Sequence, residues 1–402
     1  MNRTLFRSLL SILFLLTALV GRSFAQRTSP VTDTSRAKPA DTSKPVFTLK
    51  TLNIAPVYQF SIHDNAAIDS SKQFRGAVLL PDSCYYRGET HLKNIRQLTS
   101  EGVNTGAALS ADDKFLAFEA RGTNVASCDQ IYMMPLAGNY VKRISNGEGG
   151  CSSPYFLPDG AHLLFSSTMA VGPGCPRLDY AHGWPLFKGY DLYVADTSGT
   201  LRGRLTNDTM YDGEPAVSPL GDRIVFTSTR SGDPELFTMN TDGSDVQQLT
   251  HEPGYHGGAR YSPDGKQILF CAARIEAKDL PEYRKLLAQG SVHPTELEIY
   301  VMDSDGSHVH PVTHFHAMSG QAAWAPDGEH IVFSSNELDP NGQNFDLFMV
   351  DKDGSGIDRI TDGGGFNGFP MFTHDGSKLV FVSCRNGSHS QNMNLFIADW
   401  RP

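Results

Sequence analysis

The stretch Ser262-Pro263-Asp264-Gly265, followed by Ile268-Leu269-Phe270, is the clearest copy of a unit that recurs along the chain. A Pro-Asp-Gly turn reverses the backbone tightly, and a short apolar segment after it is typical of a buried strand. Related turns begin at Ser110, Leu157, Ser218, Ala325 and Thr373. The same offset from each turn leads to Phe118, Phe165, Phe226, Phe270, Phe333 and Phe381. A strand-rich repeat of this length predicts a β-propeller.

Each unit contains two further strands after the Phe strand. The third carries an aliphatic-aromatic pair such as Leu236-Phe237, and the fourth follows an Asp-Gly-Ser turn and closes on a pair such as Leu249-Thr250. Four antiparallel strands make one propeller blade. The last unit lacks its fourth strand, whereas an unpaired one, Arg96-Gln97-Leu98-Thr99, precedes the first unit. We therefore predict an all-β, six-bladed propeller over residues 91–402, closed by the N-terminal strand completing the last blade.

The N-terminal 90 residues precede the repeats and divide into three segments. Residues 1–25 have the basic flank, short apolar core and Ser23-Phe24-Ala25 site of a signal peptide, with cleavage after Ala25. Residues 26–50 are rich in Ser, Thr and Pro and predict a flexible linker. Residues 51–90 predict an extension that packs on the propeller or is partly disordered. The mature protein is expected in the periplasm or outside the cell, as a monomer.

Charge and cysteine content narrow the classes of partner. The net charge of -10, without a clustered basic surface, argues against nucleic acid. No later stretch is apolar enough to cross a bilayer. Export permits disulfides, and Cys128, Cys151 and Cys175 fall in predicted loops. One bridge is expected within this trio, with its pairing left open.

The Ser-Pro-Asp-Gly turns with their Phe strands, the Asp-Gly-Ser turns and the closing Leu-Thr pairs resemble the WD-like PD repeats of the TolB family of periplasmic propellers. The resemblance covers residues 91 to 400 or so and implies a six-bladed propeller. It also implies a non-enzymatic component of the cell envelope with a protein partner, because the TolB propeller docks the lipoprotein Pal. TolB carries an α/β domain ahead of its propeller, and residues 26–90 do not match that domain.

The residues that enter each first strand are the candidate site. They are expected to surround the mouth of the central channel, on the face that also carries the long insertions at residues 169–189 and 275–295. Six positions at one repeat offset are Asn104, Cys151, Asp212, His256, Ser319 and Asn367. Their flanking candidates are Tyr211, Glu214, Tyr255, Gln321 and Phe369. A polar ring with aromatic shoulders predicts a mouth for a protein segment or an envelope polymer. The alternative is that these groups bind neighbouring blades.

Catalysis remains the second hypothesis. Asp212, Glu214 and His256 are the acid and base groups that the repeat register places together, which would suit a metal-assisted lyase or hydrolase acting on a polysaccharide. The sequence has no nucleophile elbow, phosphate loop, CxxC or HExxH motif. The run His308, His310, His314 and His316 matches no metal-binding spacing. No catalytic residue, metal or cofactor is therefore predicted, and a purely structural accessory role stays open.

Overall fold

The computed structural model describes the backbone of residues 78–79, and residues 86–100, 102–122, 126–138, 140–176, 183–339, 342, 344–363, 365–385 and 393–402. All of these belong to the unit Pro45–Pro402. The predicted signal peptide and linker, and most of the predicted extension, lie outside the described residues. Those three segments therefore stay predictions.

Successive four-stranded antiparallel sheets form the blades, and the first three follow the chain in order. Blade 1 contains β3 (Val103–Leu109), β4 (Phe115–Gly122), β5 (Ala126–Pro135) and β6 (Lys142–Arg143). Blade 2 contains β7 (Cys151–Phe156), β8 (His162–Ser167), β10 (Asp191–Asp196) and β11 (Leu201–Arg204). Blade 3 contains β12 (Asp212–Val217), β13 (Arg223–Ser228), β14 (Glu235–Asn240) and β15 (Gln247–Gln248).

The remaining blades repeat this order, and the last one closes the ring. Blade 4 contains β16 (Gly254–Tyr261), β17 (Gln267–Arg274), β19 (Glu298–Asp303) and β20 (His310–Pro311). Blade 5 contains β21 (Ser319–Trp324), β22 (His330–Ser335), β23 (Asp346–Asp351) and β24 (Asp358–Arg359). Blade 6 contains β25 (Asn367–Phe372), β26 (Lys378–Ser383), β27 (Asn394–Trp400) and β2 (Leu92–Gln97). The six-bladed propeller and its closure by the N-terminal strand are thus confirmed.

The closing strand begins earlier than the sequence indicated. β2 starts at Leu92 and pairs with β27, where Gln97 lies opposite Phe396. A further short strand, β1 (Val78–Leu79), pairs with the outer side of β2. The buried carboxylate of Glu89 accepts two hydrogen bonds from Arg385, at 2.7 and 3.0 Å. The guanidinium of Arg385 lies 4.9 Å from the ring centre of Phe381. This pair ties the chain just before β2 to blade 6.

The repeated Phe residues form the core of each blade. All six are at most 1% exposed. Each lies opposite an aromatic residue of the third strand, with ring centroids 5.5 to 6.3 Å apart, as for Phe270 with Tyr300 and Phe165 with Tyr193. Such aromatic pairs add about 0.5–1.5 kcal/mol beyond burial of their area. The Phe offset and the aliphatic-aromatic pair seen in the sequence are therefore two halves of one contact.

The closing Thr of each unit joins the fourth strand to the third. Its hydroxyl oxygen accepts the N–H of the aliphatic residue in that strand at 2.8 to 3.0 Å, with Ser145 taking this role in blade 1. The same hydroxyl donates to an acid or amide of the third strand, in the residue that precedes this aliphatic residue. These acceptors are Gln130, Asp191, Glu235, Glu298, Asp346 and Asn394. The Thr thus satisfies a backbone donor that the short fourth strand leaves open.

The two long insertions meet although they belong to different blades. β9 (Trp184–Pro185) of the blade 2 insertion pairs with β18 (Ser291–Val292) of the blade 4 insertion. The single described helix, α1 (Leu280–Ala288), precedes β18 and buries Tyr283, whose hydroxyl donates to Asp233 at 2.7 Å and to the carbonyl of Gly254 at 2.9 Å. Within the described residues, no helix has the length and apolar character needed to cross a bilayer.

The disulfide joins Cys128 to Cys175, with Cα atoms 5.5 Å apart. One bridge within the predicted trio is therefore present. The placement of the trio in loops was wrong for two members, because Cys128 lies in β5 and Cys151 begins β7. Cys151 is unpaired and fully buried, where its thiol donates to Ser167 at 3.3 Å and burial raises its pKa to about 12. The bridge ties the blade 2 insertion to blade 1.

Candidate functional site

The first strands of the blades enclose a central channel with a volume of about 830 Å³. All six of these strands, β3, β7, β12, β16, β21 and β25, contribute to its wall. Most of the wall is apolar or aromatic, and its acidic and basic side chains among the described residues are Glu119, Glu214, Arg260 and His374. Concave, largely apolar cavities with a few polar groups are the common form of a ligand site.

The six positions predicted to surround the channel do not line it. We name them the joint ring: Asn104, Cys151, Asp212, His256, Ser319 and Asn367. Each is at most 5% exposed. Five of them donate their backbone N–H across the blade boundary to a carbonyl of the preceding blade at 2.9 Å, as Asn367 does to Phe345. The structure thus places these residues between blades, as in the alternative stated above.

The side chain of Asn367 shows what such a joint contains. Its Nδ2 donates to the carbonyls of Gly363 and Phe345 at 3.1 and 3.2 Å. Its Oδ1 accepts from Ser383 at 2.8 Å and from Arg385 at 3.3 Å. One amide therefore links blades 5 and 6 and the guanidinium that anchors the N-terminal segment. All of its hydrogen-bonding capacity is used within the protein.

The two acid-base candidates in the joint ring are also buried between blades, and Asp212 is hydrogen-bonded there, whereas Nδ1 of His256 has no hydrogen-bond partner among the described residues. Asp212 accepts two hydrogen bonds from Arg230, both at 3.0 Å. His256 Nδ1 lies 3.2 Å from Glu235 Oε2. Burial lowers the pKa of His256 to about 4 and raises the pKa of Glu235 to about 7. The pair is therefore neutral between these values, which avoids placing separated charges in the protein interior.

The residues two places further along each first strand do face the channel. This bulge ring comprises Gly106, Ser153, Glu214, Gly258, Gln321 and Phe369, and all six line the cavity. Every member has a φ of 50° to 64°, in the left-handed region. Each first strand also shifts register against the second strand at this point, as a β-bulge does. The bulge redirects the strand so that this residue faces the channel.

Side-chain oxygens cap the bulge N–H groups of every second blade. Glu119 of blade 1 accepts from Ser153 N–H at 2.6 Å. Glu214 of blade 3 accepts from Gly258 N–H at 2.9 Å, and Gln321 of blade 5 accepts from Phe369 N–H at 3.0 Å. The six-blade ring therefore carries a threefold pattern of acceptors along its channel.

The glycines before the bulge do not themselves turn the backbone. Gly213, Gly257 and Gly368 directly precede the bulge, and the positive φ belongs to the next residue. A Cβ on Gly257 would lie 2.2 Å from the Tyr255 hydroxyl and 2.4 Å from Glu214. These glycines therefore leave room for an aromatic ring two residues earlier and for the acceptor of the preceding blade.

Of the flanking candidates, Glu214, Tyr255, Gln321 and Phe369 line the channel, whereas Tyr211 does not. Tyr211 instead covers Gly213 and packs edge-on against Tyr190 at 5.9 Å. The Tyr255 hydroxyl donates to Glu214 at 2.7 Å. Burial raises the pKa of both tyrosines well above its ordinary value.

Aromatic side chains surround the end of the channel that lies beneath the insertions. We name Trp184, Tyr255, Phe345, Phe366 and Phe369 the mouth aromatics. Trp184 is 40% exposed and meets Tyr255 edge-on at 5.7 Å. Phe366 lies 5.7 Å from Phe345 and 6.2 Å from Phe369. The strap formed by β9 and β18 thus places the indole of Trp184 beside the opening, which is also lined by the three phenylalanines Phe345, Phe366 and Phe369.

Glu119 is a channel residue that the sequence reasoning missed. Burial, with the nearby charge of Asp129, raises its pKa to about 7. Its signal was present, because Glu119 directly follows the repeat Phe of blade 1, where the other blades have Ser166, Thr227, Cys271, Ser334 and Val382. An acid at a position that is otherwise small or apolar marks a departure from the scaffold. Among the described residues, no group of three or more His, Cys, Asp or Glu is arranged to hold a metal ion.

Comparisons with known proteins agree with this architecture. The family model described as the TolB beta propeller domain matches residues 188–282. A TolB homolog of Chlorobium luteolum is 24% identical over 142 residues, covering 29% of this chain and 33% of that protein. A TolB homolog of Chlorobium chlorochromatii is 29% identical over 133 residues, covering 27% of this chain and 30% of that protein. The match thus spans about a third of the length of these curated relatives.

Among solved structures, TolB from Acinetobacter baumannii aligns with a TM-score of 0.50 and 20% identity, over 74% of this chain and 65% of that chain. A likeness at this identity concerns the fold. Together with the Phe-strand and Thr-closure contacts of every blade, these matches identify the described part of this chain as a TolB-like β-propeller.

Proposed function

We propose that this protein is an exported, non-enzymatic binding protein of the cell envelope, which holds an extended segment of a partner protein at the mouth of its channel. The observation that carries the proposal is the 830 Å³ channel with its rim of mouth aromatics. Aromatic side chains supply a large contact area at low entropic cost and dominate binding in protein interfaces. The TolB-like fold supports a protein partner, because that is the role the resemblance implies.

Export and a monomeric state are parts of this proposal. The basic, apolar and small-residue pattern of residues 1–25 supports export. The Cys128–Cys175 disulfide supports an oxidising compartment, the periplasm or the exterior of the cell.

The catalytic alternative is weakened by the positions of its candidate groups. Asp212 and His256 are buried in blade joints, and Asp212 is held by Arg230. Glu214 is the one member of the set that lines the channel, and it already accepts from Tyr255, Thr227 and Gly258. A general acid or base must reach the proton that it transfers. We therefore favour binding over metal-assisted cleavage of a polysaccharide.

Site-specific photocrosslinking tests the proposal. A benzophenone amino acid at Trp184, on the strap, should crosslink one discrete protein in the native envelope when cells are irradiated. The matched control carries the same photoreactive group at Ile357, which is 50% exposed and lies between the third and fourth strands of blade 5. Adding Phe369→Ala to the variant that carries the benzophenone at position 184 should weaken the crosslink. Equal crosslinking from both positions, or sugar turnover that survives Phe369→Ala without any crosslink, would contradict the proposal.

A further inference from the structure

One charged side chain of the channel, that of Arg260, forms no hydrogen bond with the joint ring or the bulge ring. Arg260 lies in β16, two residues beyond the bulge at Gly258, which places it roughly 7 Å deeper along the strand. The residues at the same register in the other blades are Ala108, Tyr155, Ala216, Ala323 and Met371. Arg260 is therefore the only charged group in its layer.

The contacts of Arg260 leave most of its donors unused. Its Nη1 donates to the carbonyl of Ala259 at 2.7 Å, and its guanidinium carbon lies 5.9 Å from the ring centre of Tyr155. In the part of the chain that the structure describes, no carboxylate forms an ion pair with it. Guanidinium has five N–H donors, so at least one full edge of the fork is available.

Glu214, which lies two residues nearer the mouth in the repeat register, does not neutralise this cation by contact. Both oxygens of Glu214 are occupied, Oε1 by the Tyr255 hydroxyl at 2.7 Å and Oε2 by Thr227 and the Gly258 N–H at 2.8 and 2.9 Å. The backbone around Arg260 is fixed, since Trp324 Nε1 donates to its carbonyl at 3.2 Å. A held cation with unused donors thus lies in a channel whose wall is largely apolar.

Such a site favours a planar anion. The guanidinium fork matches a carboxylate with two parallel hydrogen bonds, and both the charge and the hydrogen bonds act more strongly where water is displaced. We propose that Arg260 pairs with a carboxylate of the bound protein segment, supplied by its chain terminus or by an Asp or Glu side chain. This inference rests on the proposed function, because it takes a protein segment as the occupant of the channel. It adds that an ion pair with Arg260 orients this segment in the deeper half of the channel.

A synthetic heptapeptide library tests it, prepared in three forms: free C-terminal acids, C-terminal amides, and amides lacking Asp and Glu. Binding to the purified mature protein is measured by tryptophan fluorescence, since Trp184 and Trp324 line the channel. The best carboxylate-bearing peptides should bind wild type at least about tenfold more tightly than their carboxylate-free counterparts. Arg260→Gln should remove this difference. Arg274→Gln, in the neighbouring strand and exposed, is the matched control and should retain it.

The three forms identify the source of the carboxylate, because a terminal anchor loses affinity on amidation alone. Arg260→Lys keeps the charge without the fork and should restore part of the preference, and it replaces Arg260→Gln if that variant does not fold. Peptides that bind equally well with and without a carboxylate, or whose preference survives in both Arg260 variants, overturn the inference and leave the proposed function intact. A channel that binds none of the three forms overturns both.

Discussion

The joint ring and the bulge ring occupy the same six strands, two residues apart, and differ in nearly every physical respect. Members of the joint ring are at most 5% exposed and hydrogen-bond across blade boundaries. Members of the bulge ring have a φ near 55° and line the channel. The comparison teaches that polar residues at a repeated position of a propeller need not form its binding surface. Here they hold the blades together, and the bulge residue two places further along faces the channel.

The two rings should differ most in how much a substitution lowers stability. Asn367→Ala should lower the free energy of unfolding by about 2–4 kcal/mol, since it removes an amide that serves several buried partners. Gln321→Ala, in the bulge ring, removes the acceptor of one hydrogen bond from the Phe369 N–H. It should lower the free energy of unfolding by less than about 1 kcal/mol. Denaturant unfolding of both variants measures the difference. Equal losses would mean that the two rings are not energetically distinct.

The His256–Glu235 joint predicts opposite pH effects for its two members. Burial raises the pKa of Glu235 to about 7 from 4.5, so this group stabilises the fold below about pH 4.5, and its contribution is lost as pH rises to 7. Burial lowers the pKa of His256 to about 4 from 6.5, so its contribution is present above about pH 6.5 and is lost as pH falls to 4. In the wild type the two slopes largely offset each other.

Each single substitution should therefore uncover the other slope. Along its own pH profile, Glu235→Gln should gain stability as pH rises from 4 to 6.5, and His256→Gln should lose stability as pH rises from 4.5 to 7, each by on the order of 1–3 kcal/mol. Urea unfolding across pH 4–8 checks both, with the exposed Glu282→Gln as a control that keeps the wild-type profile. Slopes of the same sign would refute the neutral pair.

The bulge ring should in turn affect binding more than folding. Phe369→Ala removes an aromatic ring from the channel mouth and should weaken binding of the tightest-binding heptapeptide of the library by about tenfold. Ile357→Ala, an exposed apolar residue away from the mouth, should leave the affinity unchanged. Titration by tryptophan fluorescence measures both. Unchanged affinity in Phe369→Ala would exclude this residue from the site.

The smallest effect concerns backbone strain in the bulge ring. Ser153 has a φ of 54°, which glycine adopts without penalty, so Ser153→Gly should raise stability by up to about 1 kcal/mol. Gly258 has a φ of 64°, so the reverse change, Gly258→Ala, should cost about 1 kcal/mol of backbone strain. No steric clash adds to this cost, because the new Cβ would meet nothing nearer than Cys271 Sγ at 3.8 Å. Thermal unfolding measures the two shifts. Shifts of the same sign would mean that contacts outweigh backbone strain here.

The fold was predictable because its determinants are local and repeated. The Pro-Asp-Gly turns, the buried Phe, the aromatic partner opposite it and the closing Thr each act within one blade, so six copies reinforce one interpretation. Ring closure followed from counting strands, and β2 fills the place that the count left open.

The site was predictable only in part, because it depends on contacts between blades. The sequence by itself determined which part of each first strand lies near the channel, and four flanking candidates, Glu214, Tyr255, Gln321 and Phe369, line it. Only the tertiary structure decided that Glu214, Gln321 and Phe369 lie at a bulge with a positive φ and line the channel, while the joint ring lies between blades. It also decided that two distant insertions pair over the mouth and that Arg260 keeps unused donors in the channel. Repeat register fixes where a residue lies along a strand, whereas the neighbouring blade fixes what its side chain contacts.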